Sequence, residues 1–139
     1  MRQFGHDKLY LGTALDARDL RRLYELEIAA VVDLAMEEKP AVLGREIVYC
    51  RIPLMDGAGN PPVLIRLAIE TVAFLIKSQT PTLVSCSAGM SRSPAIVAAA
   101  LARVKGRAPD DVLELLLQGQ PHDVSPLWWA DVRRICEEC

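Results

Sequence analysis

Histidine and cysteine are scarce in this chain, with two of the first and four of the second among 139 residues. Zinc would need ligands beyond the one close pair, Cys136 and Cys139, and none can be placed near it. Four thiols in a chain able to bury its own core do not read as a disulfide framework. Cys136-Glu137-Glu138-Cys139 therefore reads as an inert, frayed tail. Long hydrophobic runs are missing too. The most apolar stretch, Ala95 to Ala102, is far too short to cross a bilayer. The segment Met1 to Asp7 has no apolar core of the kind that directs secretion. A cytoplasmic protein without a membrane partner is expected. The net charge of −2 shows no excess of positive charge and argues against a general nucleic-acid binder. Repeats, low-complexity tracts and linkers are absent, so one domain spanning 1–139 is expected.

What is present alternates. Lys8 to Leu11 reads as a short strand stopped by Gly12-Thr13. Asp16 stands where an N-cap belongs, and Leu20, Leu23, Tyr24 and Leu26 make an apolar stripe, predicting a helix over Ala17 to Leu26. Ile28 to Leu34 is continuous and β-branched, as a buried strand is. Glu37 to Gly44 is a loop. Ile47 to Leu54 is the next strand, with Pro53 expected to end it. Asp56-Gly57-Ala58-Gly59-Asn60-Pro61-Pro62 follows and reads as the most flexible loop in the chain. Val63 to Lys77 has helical spacing, Thr82 to Val84 is a strand, and Arg92 to Lys105 is a buried helix stopped by Gly106. Pro109 opens a helix that ends before Gly119, and Ser125-Pro126 starts the last one. Trp128 and Trp129 lie on it, one expected in the core and the other partly exposed. Strands alternating with helices predict an α/β fold: a central twisted, mostly parallel sheet of four to five strands with helices on both faces. Ligands of such sheets sit beyond the C-terminal strand ends, where both Cys86 and Asp56 fall.

Cys86-Ser87-Ala88-Gly89-Met90-Ser91-Arg92-Ser93 carries the chemistry. It joins a strand end to a helix start. Five residues between Cys86 and Arg92 are enough to wrap backbone amides around one tetrahedral anion, and the helix adds its positive end to the same point. A cysteine over such a nest, beside a guanidinium, is expected to act as a thiolate. Cys50 reads as a core residue of its strand, with a resolving thiol for oxidised Cys86 as the lesser alternative. His6 and His122 read as solvated loop residues, and Arg21-Arg22 and Arg133-Arg134 as solvated helix faces.

Ser85 to Pro94 resembles the signature loop of the cysteine-dependent protein tyrosine phosphatases. It is most similar to the dual-specificity branch, of the small, single-domain, atypical type, whose pattern reads His-Cys-x-Ala-Gly-x-Ser-Arg-Ser. Leu9-Tyr10-Leu11-Gly12, Ile28 to Leu34 and Ile52-Pro53-Leu54-Met55-Asp56 also look like that branch's strands, and the spacing from Asp56 to Cys86 agrees. The resemblance implies a phosphatase acting on phosphotyrosine, and on phosphoserine or phosphothreonine, in a phosphorylated protein partner. It implies Cys86 as nucleophile, Arg92 as the bidentate phosphate ligand, Asp56 as general acid and base, and Ser93 as the support of the departing thiolate. Ser87, Ala88, Gly89, Met90, Ser91 and Arg92 would bind the phosphate, with Gly89 allowing close approach. No metal or other cofactor is implied, and a monomer is expected. One position departs: the branch usually has histidine before the cysteine, and here stands Ser85. A serine can donate one hydrogen bond but cannot carry charge, so it supports the thiolate less.

Two other readings stand beside this one. Ser85 favours a catalytically weak phosphate-binding module. The same loop also serves phosphatases of non-protein phosphate monoesters, although Ser87, Ala88, Met90 and Ser91 add none of the basic residues those usually carry. Arsenate reductases and low-molecular-weight phosphatases place a comparable loop after their first strand, whereas here it follows three strand candidates.

Overall fold

In the computed structural model, which describes residues 1–5 and 7–138, five strands form one sheet in the order β1-β2-β5-β3-β4. These are β1 (Arg2–Gln3), β2 (Leu9–Gly12), β3 (Ala30–Ala35), β4 (Val48–Leu54) and β5 (Thr82–Ser85). All pairings are parallel except that of β1 with β2. The sheet therefore sends the C-terminal ends of β2, β3, β4 and β5 to one edge. Helices are α1 (Ala14–Arg18), α2 (Leu20–Glu25), α3 (Pro62–Lys77), α4 (Arg92–Lys105), α5 (Pro109–Leu117) and α6 (Pro126–Glu138).

Strand alternation divides the core in two. Leu9, Leu11, Val32, Leu34, Ile52, Leu54 and Val84 face α3, α4 and α6 in the larger cluster. Val31 and Leu83 point the other way, against Ala17, Leu23 and Ile28. The α/β expectation holds, with short helices on one face and long ones on the other. The central strands β3 and β5 are buried at every position, which is why their sequences run apolar without alternation. Helix α4 is buried from Arg92 to Ala102, and its alanines let it lie against both the sheet and its neighbouring helices. It ends at Gly106, whose φ of 65° suits the left-handed cap.

Several boundaries differ from expectation for local reasons. The stretch predicted as one helix over Ala17 to Leu26 is two, α1 and α2, which meet at Asp19. Asp16 is not the N-cap. Thr13 is, its Oγ1 accepting from the Asp16 amide while the Asp16 carboxylate accepts from the Thr13 amide at 2.8 Å. Asp19 in turn caps α2. Pro53 does not end β4 but lies within it; β4 is an edge strand, and its register against β3 shifts between Asp33 and Ala35, a setting that tolerates a missing amide. Strand β1 is only two residues long, Arg2–Gln3, too short for a sequence pattern to mark it. Trp128 is fully buried and Trp129 is partly exposed, donating to Asp110. Leu127, by contrast, is exposed. Cys50 is half-buried and packs against the larger core cluster. Cys136 is not in a frayed tail: it lies in α6, packed on the core with its thiol toward the Ala99 carbonyl. Cys139 and His6 lie outside the described residues. His122 is exposed in its loop, and Arg133 and Arg134 sit on exposed helix surface paired with Asp110 and Asp131. No helix among the described residues is long and apolar enough to cross a membrane.

Candidate active site

The loop from Cys86 to Ser91 leaves β5 and enters α4 as the sequence suggests, and β2 holds it in place. The Cys86 amide donates to the Gly12 carbonyl at 3.3 Å, and the Ala14 amide donates back to the Ser87 carbonyl at 3.2 Å. This contact explains Gly89. Its φ is 72°, and a Cβ there would stand 2.9 Å from the Gly12 carbonyl oxygen. Glycine is needed because the loop presses on β2. Cys86, Ser87, Ala88, Met90, Ser91, Arg92 and Asp56 line one cavity of about 190 Å³, together with Glu37 and Asp123. Gly89 is the one loop residue that does not line it, so its close approach is to Gly12.

Among the described residues, none accepts a hydrogen bond from the amides of residues 87–92. Successive amides without protein partners at the start of a helix are a place where an anion can be held. Cys86 is 2 % exposed, and its Sγ lies 3.2 Å from Ser93 Oγ, which is itself fully buried. Ser85 Oγ is buried and has no partner. The hydrogen bond a serine can offer here is therefore not made.

Arg92 is the buried cation of the site. Its Nη1 donates to Glu37 Oε1 at 2.6 Å and to the Leu54 carbonyl at 2.8 Å, and its Nη2 donates to Glu37 Oε2 at 2.6 Å. A guanidinium has five donors, so Nε–H and the second Nη2 hydrogen remain. Nε is buried without a partner. These two lie along one side of the guanidinium, a parallel fork suited to two oxygens of a phosphoryl group. Burial pulls the Arg92 guanidinium down, but the Glu37 carboxylate, with the charges of Cys86 and Asp56, carries it above its ordinary value. Glu37 is held below the usual carboxylate range, first by its hydrogen bonds from Arg92. Glu38 is also held low, first by the Ser87 hydroxyl that donates to it at 2.6 Å and then by Arg18.

The turn after β3 thus grips both ends of the loop, Ser87 through Glu38 and Arg92 through Glu37. Arg51 of β4 fastens that turn from below by donating to the carbonyls of Ala35, Met36 and Glu38. Asp33 accepts from the Ala35 amide and from Tyr49 Oη, and pairs with Arg51. In the sequence Glu37 and Glu38 stand out only as part of a loop. Adjacent carboxylates just past the end of a parallel strand were the signal that could have marked them.

The Asp56 loop is not the free segment its glycines suggest. Asn60 is buried, donates to the carbonyls of Met55 and Gly57 and accepts from the Met55 amide, closing the loop on itself. The Gly59 amide donates to Asp131 of α6. Asp56 is exposed at the cavity mouth.

A thiol beside unpartnered amides, an unpaired guanidinium edge and a carboxyl at the mouth, on this sheet, make an arrangement able to hold a phosphoryl group against a nucleophile. Residues 9–128 match the model for the dual specificity phosphatase catalytic domain, and the chain belongs to that family. It is similar to human dual specificity protein phosphatase 15, 36% identical over 117 residues that cover 81% of this chain and 38% of that protein. It is also similar to the crystal structure of DUSP15, with a TM-score of 0.81 at 27% identity over 96% of this chain and 86% of that one. The crystal structure of human DUSP28 shares the fold, with a TM-score of 0.81 at 20% identity over 95% of this chain and 93% of that one. The chain spans less than half the length of the curated relatives it matches.

Proposed function

We propose that this chain is a single catalytic domain, 1–139, that hydrolyses phosphotyrosine, and phosphoserine or phosphothreonine, in protein substrates through a phosphocysteine intermediate. The observation that carries the reading is that Arg92, with its Nε unpartnered, and loop residues with unpartnered amides line one cavity with the Cys86 thiol. In this mechanism the Cys86 thiolate attacks phosphorus and the bond to the leaving oxygen breaks. The Asp56 carboxyl gives that oxygen its proton. Arg92 and the amides of Ser87 to Arg92 hold the equatorial oxygens as charge develops; one well-placed donor of this kind contributes about 2.7–4 kcal/mol. Water then attacks the phosphocysteine, Asp56 takes its proton, the sulfur–phosphorus bond breaks and inorganic phosphate leaves. The Ser93 hydroxyl donates to the departing thiolate. The domain works as a monomer in a reducing, cytoplasmic setting, which keeps the nucleophile a thiol.

The test is hydrolysis of p-nitrophenyl phosphate across pH 4.5 to 8, in reductant with a chelator present. Wild-type turnover with a bell-shaped profile, no turnover by Cys86→Ser and a lost alkaline limb in Asp56→Asn are expected. Turnover by Cys86→Ser would remove the thiol mechanism. A wild type that binds phosphate or vanadate without turnover would point instead to a binding module, the reading that Ser85 favours.

A further inference from the structure

The mouth of the phosphate cavity carries carboxylates where a site for polyanions needs cations. Glu37, Asp56 and Asp123 line it, and among the described residues Arg92 is the only cation in the lining. Glu37 already compensates the ends of that guanidinium. Of the neighbouring basic groups, Arg18 is engaged on Glu38 and the Lys39 carbonyl and Arg51 on the turn beneath, while Lys39 is exposed outside the lining. Asp123 is held at the mouth by its backbone, whose amide donates to the Met90 carbonyl at 2.8 Å. Its residue is exposed, and among the described residues its carboxylate has no partner. At the floor the opposite holds, because Arg92 Nε is buried and unpartnered, a donor that asks for an anion. One negative group is drawn to the bottom while further negative charge around it is repelled.

We infer that the substrate is a phosphorylated polypeptide segment whose phosphorylated residue is flanked by lysine or arginine, and that Asp123 at the cavity mouth selects those flanks. The inference rests on the phosphatase reading above and names its substrate class. A unit charge at roughly 7 Å through water-like surroundings changes affinity about threefold. Replacing two basic flanks by neutral ones, one unit of charge each, therefore changes it about tenfold, and salt concentrated enough to bring the Debye length below that distance erases the difference.

The experiment measures binding, so that it does not depend on turnover. Cys86→Ser protein is titrated, by fluorescence anisotropy, with phosphotyrosine peptides identical except for lysine or glutamine on either side. Expected are about tenfold tighter binding of the lysine peptide at low salt, loss of that ratio at high salt, and a ratio about threefold smaller in Cys86→Ser with Asp123→Asn. Equal affinities, tighter binding of the glutamine peptide, failure to bind either, or tighter binding of a phosphoinositide headgroup with several phosphates would each overturn it. So would a ratio indifferent to Asp123. Wild-type hydrolysis of p-nitrophenyl phosphate, which has no flanks, is the separate gauge of the chemistry. Its failure sinks the hydrolase reading without touching the binding preference.

Discussion

Replacing Glu37 by glutamine removes one charge and turns one of the two acceptors gripping Arg92 into a donor. The two bonds are short, 2.6 Å each, and Arg92 is buried while Glu37 is half exposed. A buried bond to a charged group contributes about 1.5–3 kcal/mol. Water reaches Glu37, so the lower end applies, and the loss should be about 1–1.5 kcal/mol, or about 3–5 °C in Tm. Activity should fall further than stability suggests. Glu37 holds both terminal nitrogens of Arg92, and a loosened guanidinium should lower kcat/KM about 10- to 30-fold. The assay is p-nitrophenyl phosphate hydrolysis across pH 5 to 8, with melts on the same protein. Arg92 holds the Glu37 carboxyl below its ordinary range. The lock is therefore complete above the unfolded carboxylate value and is lost only as pH falls through the lower, folded one. Across pH 5 to 8 the lock should be constant, so Glu37→Gln should lower kcat/KM over the whole range. A kcat/KM within twofold of wild type throughout would refute the reasoning.

Gly89→Ala should be strongly destabilising, because φ there is 72° and the new Cβ meets the Gly12 carbonyl oxygen at 2.9 Å. The left-handed penalty and the clash together predict a loss of about 2–4 kcal/mol, read as a fall of about 8 °C or more in Tm. A melt within 2 °C of wild type, as an order-of-magnitude margin, would show that β2 does not confine the loop. Ser85→Ala should go the other way. The hydroxyl it removes is buried without a partner, so stability should rise by about 1 kcal/mol and Tm by about 3 °C. An equal fall in a differential scanning measurement would mean the hydroxyl is satisfied.

Much of the fold was legible because its signals are local. The continuous apolar character of Ala30–Ala35 and Thr82–Ser85 marks strands buried on both sides, and the helix Arg92–Lys105 appears at its predicted bounds. What misled were competitions between equally local signals. Thr13 and Asp16 are both capping residues, and their reciprocal bonds decide which is the cap. Pro53 reads as a stop in isolation, but its place on an edge strand removes the need for its missing amide. Gly57 and Gly59 read as mobile until Asn60 and Asp131 pin the loop.

The candidate site divides the same way. Cys86, Arg92 and the small residues between them lie on one continuous loop, and their chemistry could be read from their order. Asp56 was within reach because the ends of parallel strands converge on one edge. By itself, then, the sequence determined the fold class, the loop between β5 and α4 and the placement of a thiol and a guanidinium on it, all of which follow from residue type and short spacing. Only the tertiary structure decided which way Arg92 faces, why Gly89 must be glycine, and that Asp123 stands at the cavity mouth. Each of these depends on a contact between segments far apart in the chain: Glu37 with Arg92, Gly12 with Gly89, Met90 with Asp123. Such contacts arise only where the packed sheet brings its strand ends together, and no local pattern encodes which side chains will meet there.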